Sequence, residues 1–213
     1  MRRKPGGGTP VPESLVYIHG LNSSPASHKA RVLREHLAGV GLADRLLVPA
    51  LSYLPDEAID TLEEILDSCP RPAALVGSSL GGYYAAYLAE RRALQAVLIN
   101  PALRPYELLL PYLGPQRNLY TGERYRLTAT HLAQLQALDV PQLTHPERVL
   151  LLIQTGDATL DFRQALAHFP TSPRILMAGG SHGFERFEAV VDRVLQFCGL
   201  DPAAEPGGGS AVP

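Results

Sequence analysis

The sequence predicts an α/β fold: a mostly parallel sheet of about six strands flanked by helices. Three features point to it. Short apolar runs are continuous rather than alternating, amphipathic stretches separate them, and a Gly-x-Ser-x-Gly pentapeptide joins one apolar run to a helical one. A strand that is apolar on both faces must be covered on both, and crossover helices supply that cover.

Residues 1–13, rich in Gly and Pro, read as a disordered tail. Residues 14–200 read as one domain, and 213 residues suffice to bury a substantial core. The first strand falls at 15–18, and the helix after it at 27–38 turns Ala30, Leu33 and Leu37 to one face. The second strand is expected at 46–48, and a helix at 56–67 carries Ile59, Leu62 and Leu66. A third strand at 73–76 leads through Gly77-Ser78-Ser79-Leu80-Gly81 into a helix at 83–92. Strands four, five and six fall at 96–99, 149–153 and 175–177. The closing helix, 184–197, aligns Phe187, Val190, Val191, Val194 and Leu195, and 201–213 reads as a second disordered tail. The expected strand order is 2-1-3-4-5-6, so the first and third strands are neighbours whose outgoing loops diverge.

No strand is expected between 101 and 148, a stretch too long for a simple connection. Helical patterns at 106–112 and 128–138 suggest a small helical cap over the strand ends. Tyr106, Tyr112, Leu113, Tyr120 and Tyr125 either line a pocket there or pack the insert, and Asn22 is a further pocket candidate.

Composition narrows the function. Lys+Arg number 19 and Asp+Glu 21, a net charge of −2, which offers no electrostatic footprint for nucleic acid or an anionic membrane. The basic start Met1-Arg2-Arg3-Lys4 is not followed by an apolar stretch, so it does not read as a signal peptide, and no run is long enough to cross a bilayer. Cys69 and Cys198 lie far apart without zinc or redox spacing, and Cys198 continues the apolar stripe of the last helix as a buried thiol. A reducing, cytoplasmic setting is expected. With no His-Glu-x-x-His pattern and no phosphate loop, neither a metal nor a cofactor is expected.

A serine becomes a nucleophile where the chain turns sharply from strand to helix and presents Oγ to a base. Ser79 stands there. Of the seven histidines, His182 follows Gly179-Gly180-Ser181 off the last strand, on the rim where parallel strands end. Asp157, after Gln154-Thr155-Gly156, reaches the same rim; Asp161 competes with it but falls inside the next helix. The chain order Ser79, Asp157, His182 is that of an α/β-hydrolase. Its oxyanion hole would use the backbone N–H of Leu80 and of Leu21, from the loop after the first strand. His19 reads as a structural residue of that loop, and Ser23 and Ser24 as holding the loop or capping the helix.

Several stretches resemble the YqiA-like esterases, a family of small bacterial α/β-hydrolases. They are Tyr17 to Pro25, Gly77 to Tyr84, Asn100 to Tyr106, Thr121-Gly122-Glu123, Gln154 to Asp157 with Leu160-Asp161, and Gly179 to His182. The resemblance implies carboxylic-ester hydrolysis by Ser79, Asp157 and His182, with Asp157 and not Asp161 as the acid. The small cap and the 23.0 kDa chain suggest access for short, soluble, small-molecule acyl esters. Leu21 stands where the family pattern usually has an aromatic, a change of pocket shape rather than of chemistry. Thioester hydrolysis needs the same residues, and a non-catalytic ligand-binding protein of this fold is the alternative of a different class.

Overall fold

Alternate residues of each central strand face opposite layers of the molecule, as the pleat requires. In β1 (Ser14–Ile18), Leu15 and Tyr17 join one buried cluster, while Val16 and Ile18 join the other. The same division runs through β3 (Ala73–Ser78), β4 (Ala96–Ile99) and β7 (Val149–Gln154), whose residues are all buried. Two helices, α1 (His28–Gly39) and α7 (Val191–Phe197), cover the face of Leu15 and Tyr17. The other face takes α2 (Pro55–Ser68), α3 (Leu80–Arg92) and, from the second half, α5 (Ala129–Ala137) and α6 (Phe162–His168). This computed structural model describes residues 12–118 and 120–200, so the expected tails lie outside the described residues, apart from Pro12 and Glu13.

With β2 (Leu46–Leu47) and β8 (Arg174–Met177) at its edges, the sheet runs β2-β1-β3-β4-β7-β8 and every pairing is parallel. The order differs slightly from the expected 2-1-3-4-5-6, because two further strands fall between β4 and β7 in the chain. They are β5 (Gly114–Arg117) and β6 (Arg124–Leu127), an antiparallel hairpin separate from the main sheet. The insert after β4 is therefore not all helical, and a stretch expected to hold no strand holds two. Its helices are α4 (Pro105–Leu108), followed by a 3-10 turn at Leu110–Tyr112, and α5. In β6 the buried residues Tyr125 and Leu127 alternate with exposed Arg124 and Arg126, the period of a half-buried strand.

The closing helix is shorter than expected. Phe184 and Arg186 take φ of 59° and 55°, which helical residues cannot hold, so a 3-10 turn at Phe187–Val190 precedes α7. Phe184 and Phe187 are nevertheless wholly buried beneath it. Among the described residues, no helix is long and apolar enough to cross a membrane.

Candidate active site

The chain reverses at Ser79, whose φ of 56° and ψ of −118° lie outside the regions open to ordinary residues. Backbone hydrogen bonds fix the reversal from several sides. Ser79 N–H donates to Ile99 O at 3.0 Å, while its carbonyl accepts from Gly82, Tyr83 and Ala102 at 2.9, 3.3 and 3.0 Å. The two outer glycines are needed for close approach rather than for unusual torsions, since neither is among the residues of positive φ. A Cβ on Gly77 would collide with the Gly81 carbonyl, and one on Gly81 with the Ile18 carbonyl of β1. Helix α3 can thus start directly against the end of β1.

Loops from three strand ends bring the predicted residues together. His182 Nε2 lies 3.0 Å from Ser79 Oγ, and His182 Nδ1 lies 2.7 Å from Asp157 Oδ2. The Asp157 side chain is 2 % exposed, and its other oxygen accepts the Thr159 and Leu160 N–H groups at 2.8 and 2.9 Å. Those bonds fix the carboxylate plane and leave Oδ2 for the imidazole. Asp161 is turned elsewhere. It is the N-cap of α6 rather than a residue inside it, accepting from Arg163 N at 3.0 Å and Arg163 Nε at 2.9 Å. The Arg163 guanidinium holds the Asp161 carboxyl below the usual carboxylate range.

The loop that carries His182 has no ladder of its own. Three side chains from other elements hold its backbone. Asn100, 3 % exposed at the end of β4, donates through Nδ2 to Ser181 O at 3.1 Å and His182 O at 3.2 Å. Its Oδ1 accepts Gln154 N–H at 2.9 Å. The Gln154 side chain, at the end of β7, accepts from Ser181 N at 3.1 Å and Glu185 N at 2.8 Å, and donates to Glu185 O at 2.7 Å. From α1, Lys29 Nζ donates to Gly183 O at 2.7 Å, and burial lowers its pKa from 10.5 to about 8. Sequence reasoning assigned none of these three residues a role. The signal for two of them was a polar amide closing an otherwise apolar strand, Asn100 after Ile99 and Gln154 after Ile153.

Leu21 and Leu80 line one cavity of about 30 Å³, with Asn22, Tyr53, Tyr84 and Tyr125 also in its wall. Neither the Leu21 nor the Leu80 N–H donates to a backbone acceptor among the described residues. His19, 7 % exposed, shapes the Leu21 loop: its Nδ1 donates to Gly20 O at 3.0 Å, and its Nε2 accepts from Leu51 N at 3.4 Å. Burial holds its pKa below the ordinary value, in keeping with a neutral ring that both donates and accepts. Ser24 Oγ accepts from Ala26 N at 3.1 Å in the turn before α1, where Ser27 is the N-cap residue.

The insert closes over this loop. Tyr125 Oη donates to Asn22 Oδ1 at 2.9 Å, and Asn118 Nδ2 donates to Ser23 O at 3.0 Å. Of the six residues expected in the pocket, Asn22 and Tyr125 line it; Tyr106, Tyr112, Leu113 and Tyr120 do not. Tyr106 packs against the sheet cluster, while Tyr112 and Tyr120 are 61 % and 59 % exposed. Tyr112 ends the exposed 3-10 turn after α4, and Tyr120 sits at the hairpin tip, so neither reaches inward.

A family model described as "Uncharacterised protein family (UPF0227)" matches residues 14–199. Solved structures share the fold. A protein from Agrobacterium vitis S4 is 19 % identical, with 90 % of each chain covered and a TM-score of 0.69. Alpha/beta hydrolase domain-containing protein 10 from mouse is 20 % identical over 93 % of this chain and 91 % of its own, with a TM-score of 0.63. The esterase domain of a Rhodothermus marinus protein is 15 % identical over 90 % and 88 %, also at 0.63. The architecture is an α/β-hydrolase fold.

Proposed function

The chain belongs to UPF0227, the YqiA-like family, and from that premise we propose that it is a serine esterase hydrolysing short carboxylic acyl esters. The observation that carries the reading is the continuous line Ser79 Oγ, His182 ring, Asp157 carboxylate, at 3.0 and 2.7 Å. A hydroxyl on a strained turn, hydrogen-bonded to a ring that is itself backed by a carboxylate with its second oxygen already engaged, is an arrangement for nucleophilic catalysis. The esterase domain from Rhodothermus marinus, built on the same fold, adds support for ester chemistry.

In this reading Ser79 Oγ attacks the acyl carbonyl as His182 Nε2 takes its proton. Asp157 stabilises the imidazolium through Nδ1–H, and the N–H groups of Leu21 and Leu80 hold the oxyanion. His182 then gives the proton to the departing alcohol, leaving an acyl-serine. Water, deprotonated by His182, releases the acid and restores the hydroxyl. A cavity of about 30 Å³ beside Leu21 and Leu80 favours a short acyl group.

The direct test is a p-nitrophenyl acetate burst with wild type and Ser79→Ala, beside fluorophosphonate labelling. Wild type should give a burst and label at Ser79; the variant should do neither while keeping its far-UV circular dichroism. Undiminished turnover in folded Ser79→Ala would sink the proposal. A folded wild type that neither labels nor turns over would favour a ligand-binding protein of this fold.

A further inference from the structure

Resting on the esterase reading, we infer that the cavity selects a neutral, hydroxyl-bearing short acyl group, with Tyr84 as the residue that recognises the hydroxyl. Tyr84 follows Leu80 by four residues on α3, so both side chains lie on one face of that helix. The wall that begins at the proposed oxyanion donor therefore continues directly to the phenol. Gly20, in the same wall, approaches Ser79 so closely that a Cβ on it would stand 3.2 Å from the Ser79 Cβ, which puts the cavity beside the nucleophile.

Tyr84 is only 3 % exposed, yet its hydroxyl has no hydrogen-bond partner among the described residues. Buried tyrosine hydroxyls ordinarily find one. Two others nearby do: Tyr83 donates to Leu135 O at 2.7 Å and Tyr125 to Asn22 Oδ1 at 2.9 Å. Tyr84 also lines the cavity. Burial pushes its phenol well above the ordinary value, so it stays protonated and able both to donate and to accept.

The surrounding groups restrict the class further. The Asn22 carbonyl oxygen is occupied by Tyr125, which leaves its Nδ2 as a donor on the same wall. Tyr53 stacks on Tyr125 with centroids 4.3 Å apart and planes at 20°, a rigid flat side against which a short carbon chain can lie. Glu123 also lines the cavity and disfavours an acyl group that is itself a carboxylate. A cavity of about 30 Å³ keeps the acyl tail short.

The test compares kcat/KM for p-nitrophenyl butyrate with its 2-hydroxy and 3-hydroxy counterparts. One hydroxy ester should exceed butyrate by about tenfold in wild type, the discrimination expected of one buried neutral hydrogen bond. In Tyr84→Phe that ratio should fall toward one. A second measurement needs no variant: the matching hydroxybutyrate should inhibit p-nitrophenyl acetate hydrolysis about tenfold more strongly than butyrate. Equal rates and equal inhibition in wild type overturn this inference and leave the esterase reading standing. A preference that survives intact in folded Tyr84→Phe removes Tyr84 from it, and no hydrolysis of any ester removes both readings.

Discussion

Ser79 occupies a backbone conformation that costs a residue with a Cβ about 1–3 kcal/mol, at φ 56° and ψ −118°. The strain persists because the sheet end and the start of α3 hold its carbonyl and its N–H at once. Glycine alone bears these torsions without a steric penalty. Ser79→Gly should therefore be more stable than Ser79→Ala by about 1 kcal/mol, read from paired urea denaturation curves. Lys29 presents the opposite case, strain stored in solvation rather than in torsion. Its pKa falls from 10.5 to about 8 on folding. Below the folded value the lysine is protonated in both states and the burial penalty is complete. Between about 8 and 10.5 the folded protein sheds its proton first, the unfolded chain binds more protons, and stability rises with pH. Lys29→Met should lack this rise, so the gap in urea midpoint between variant and wild type should move in favour of wild type from pH 7.5 to 10 (~2.5 units of titration).

At the scale of elements, two loops and a hairpin decide how the site is assembled. The His182 loop is irregular, and an irregular loop beside a core needs partners for its peptide groups. Asn100 and Gln154 supply them from the ends of β4 and β7. Asn100→Asp replaces a donor facing two carbonyls with an oxygen that repels them. It should lower kcat by about tenfold or more, with a smaller change in KM, since a displaced His182 weakens proton transfer more than binding. Steady-state kinetics beside circular dichroism separates that outcome from simple unfolding. The hairpin holds the other side, through Tyr125 to Asn22 and Asn118 to Ser23. Its strands have four residues each and include Pro115, Arg117, Arg124 and Arg126, so no continuous apolar run announced them. The period-two burial of Tyr125 and Leu127 was the available sign, and it is too short to stand out between two helical patterns.

Across the whole molecule, stability rests on a central sheet buried on both sides, with β3, β4 and β7 covered by helices on each face. Leu98 lies at its middle, 0 % exposed and flanked by β3 and β7. Leu98→Ala should cost about 2–5 kcal/mol and lower the melting temperature measured by calorimetry, because the packed layers cannot close the cavity it leaves. The thiol of Cys198 sits in the same interior, 0 % exposed with its pKa pushed up by burial, and should not react with a soluble thiol reagent in the folded protein.

The sequence by itself determined the parallel sheet, its switch between the first and third strands, and the order of Ser79, Asp157 and His182 along one rim. Those follow from continuous apolar runs and from short motifs, whose physical causes act within a few residues. Only the tertiary structure decided what depends on parts of the chain distant in sequence. It turned Asp161 into a helix cap while Asp157 met His182, and it left Tyr112 and Tyr120 on the surface while drawing Tyr125 inward. It also set Asn100, Gln154 and Lys29 beneath the histidine loop. Periodicity names the buried face of an element, but which groups meet across that face is fixed by how the elements pack, and packing is a property of the whole chain.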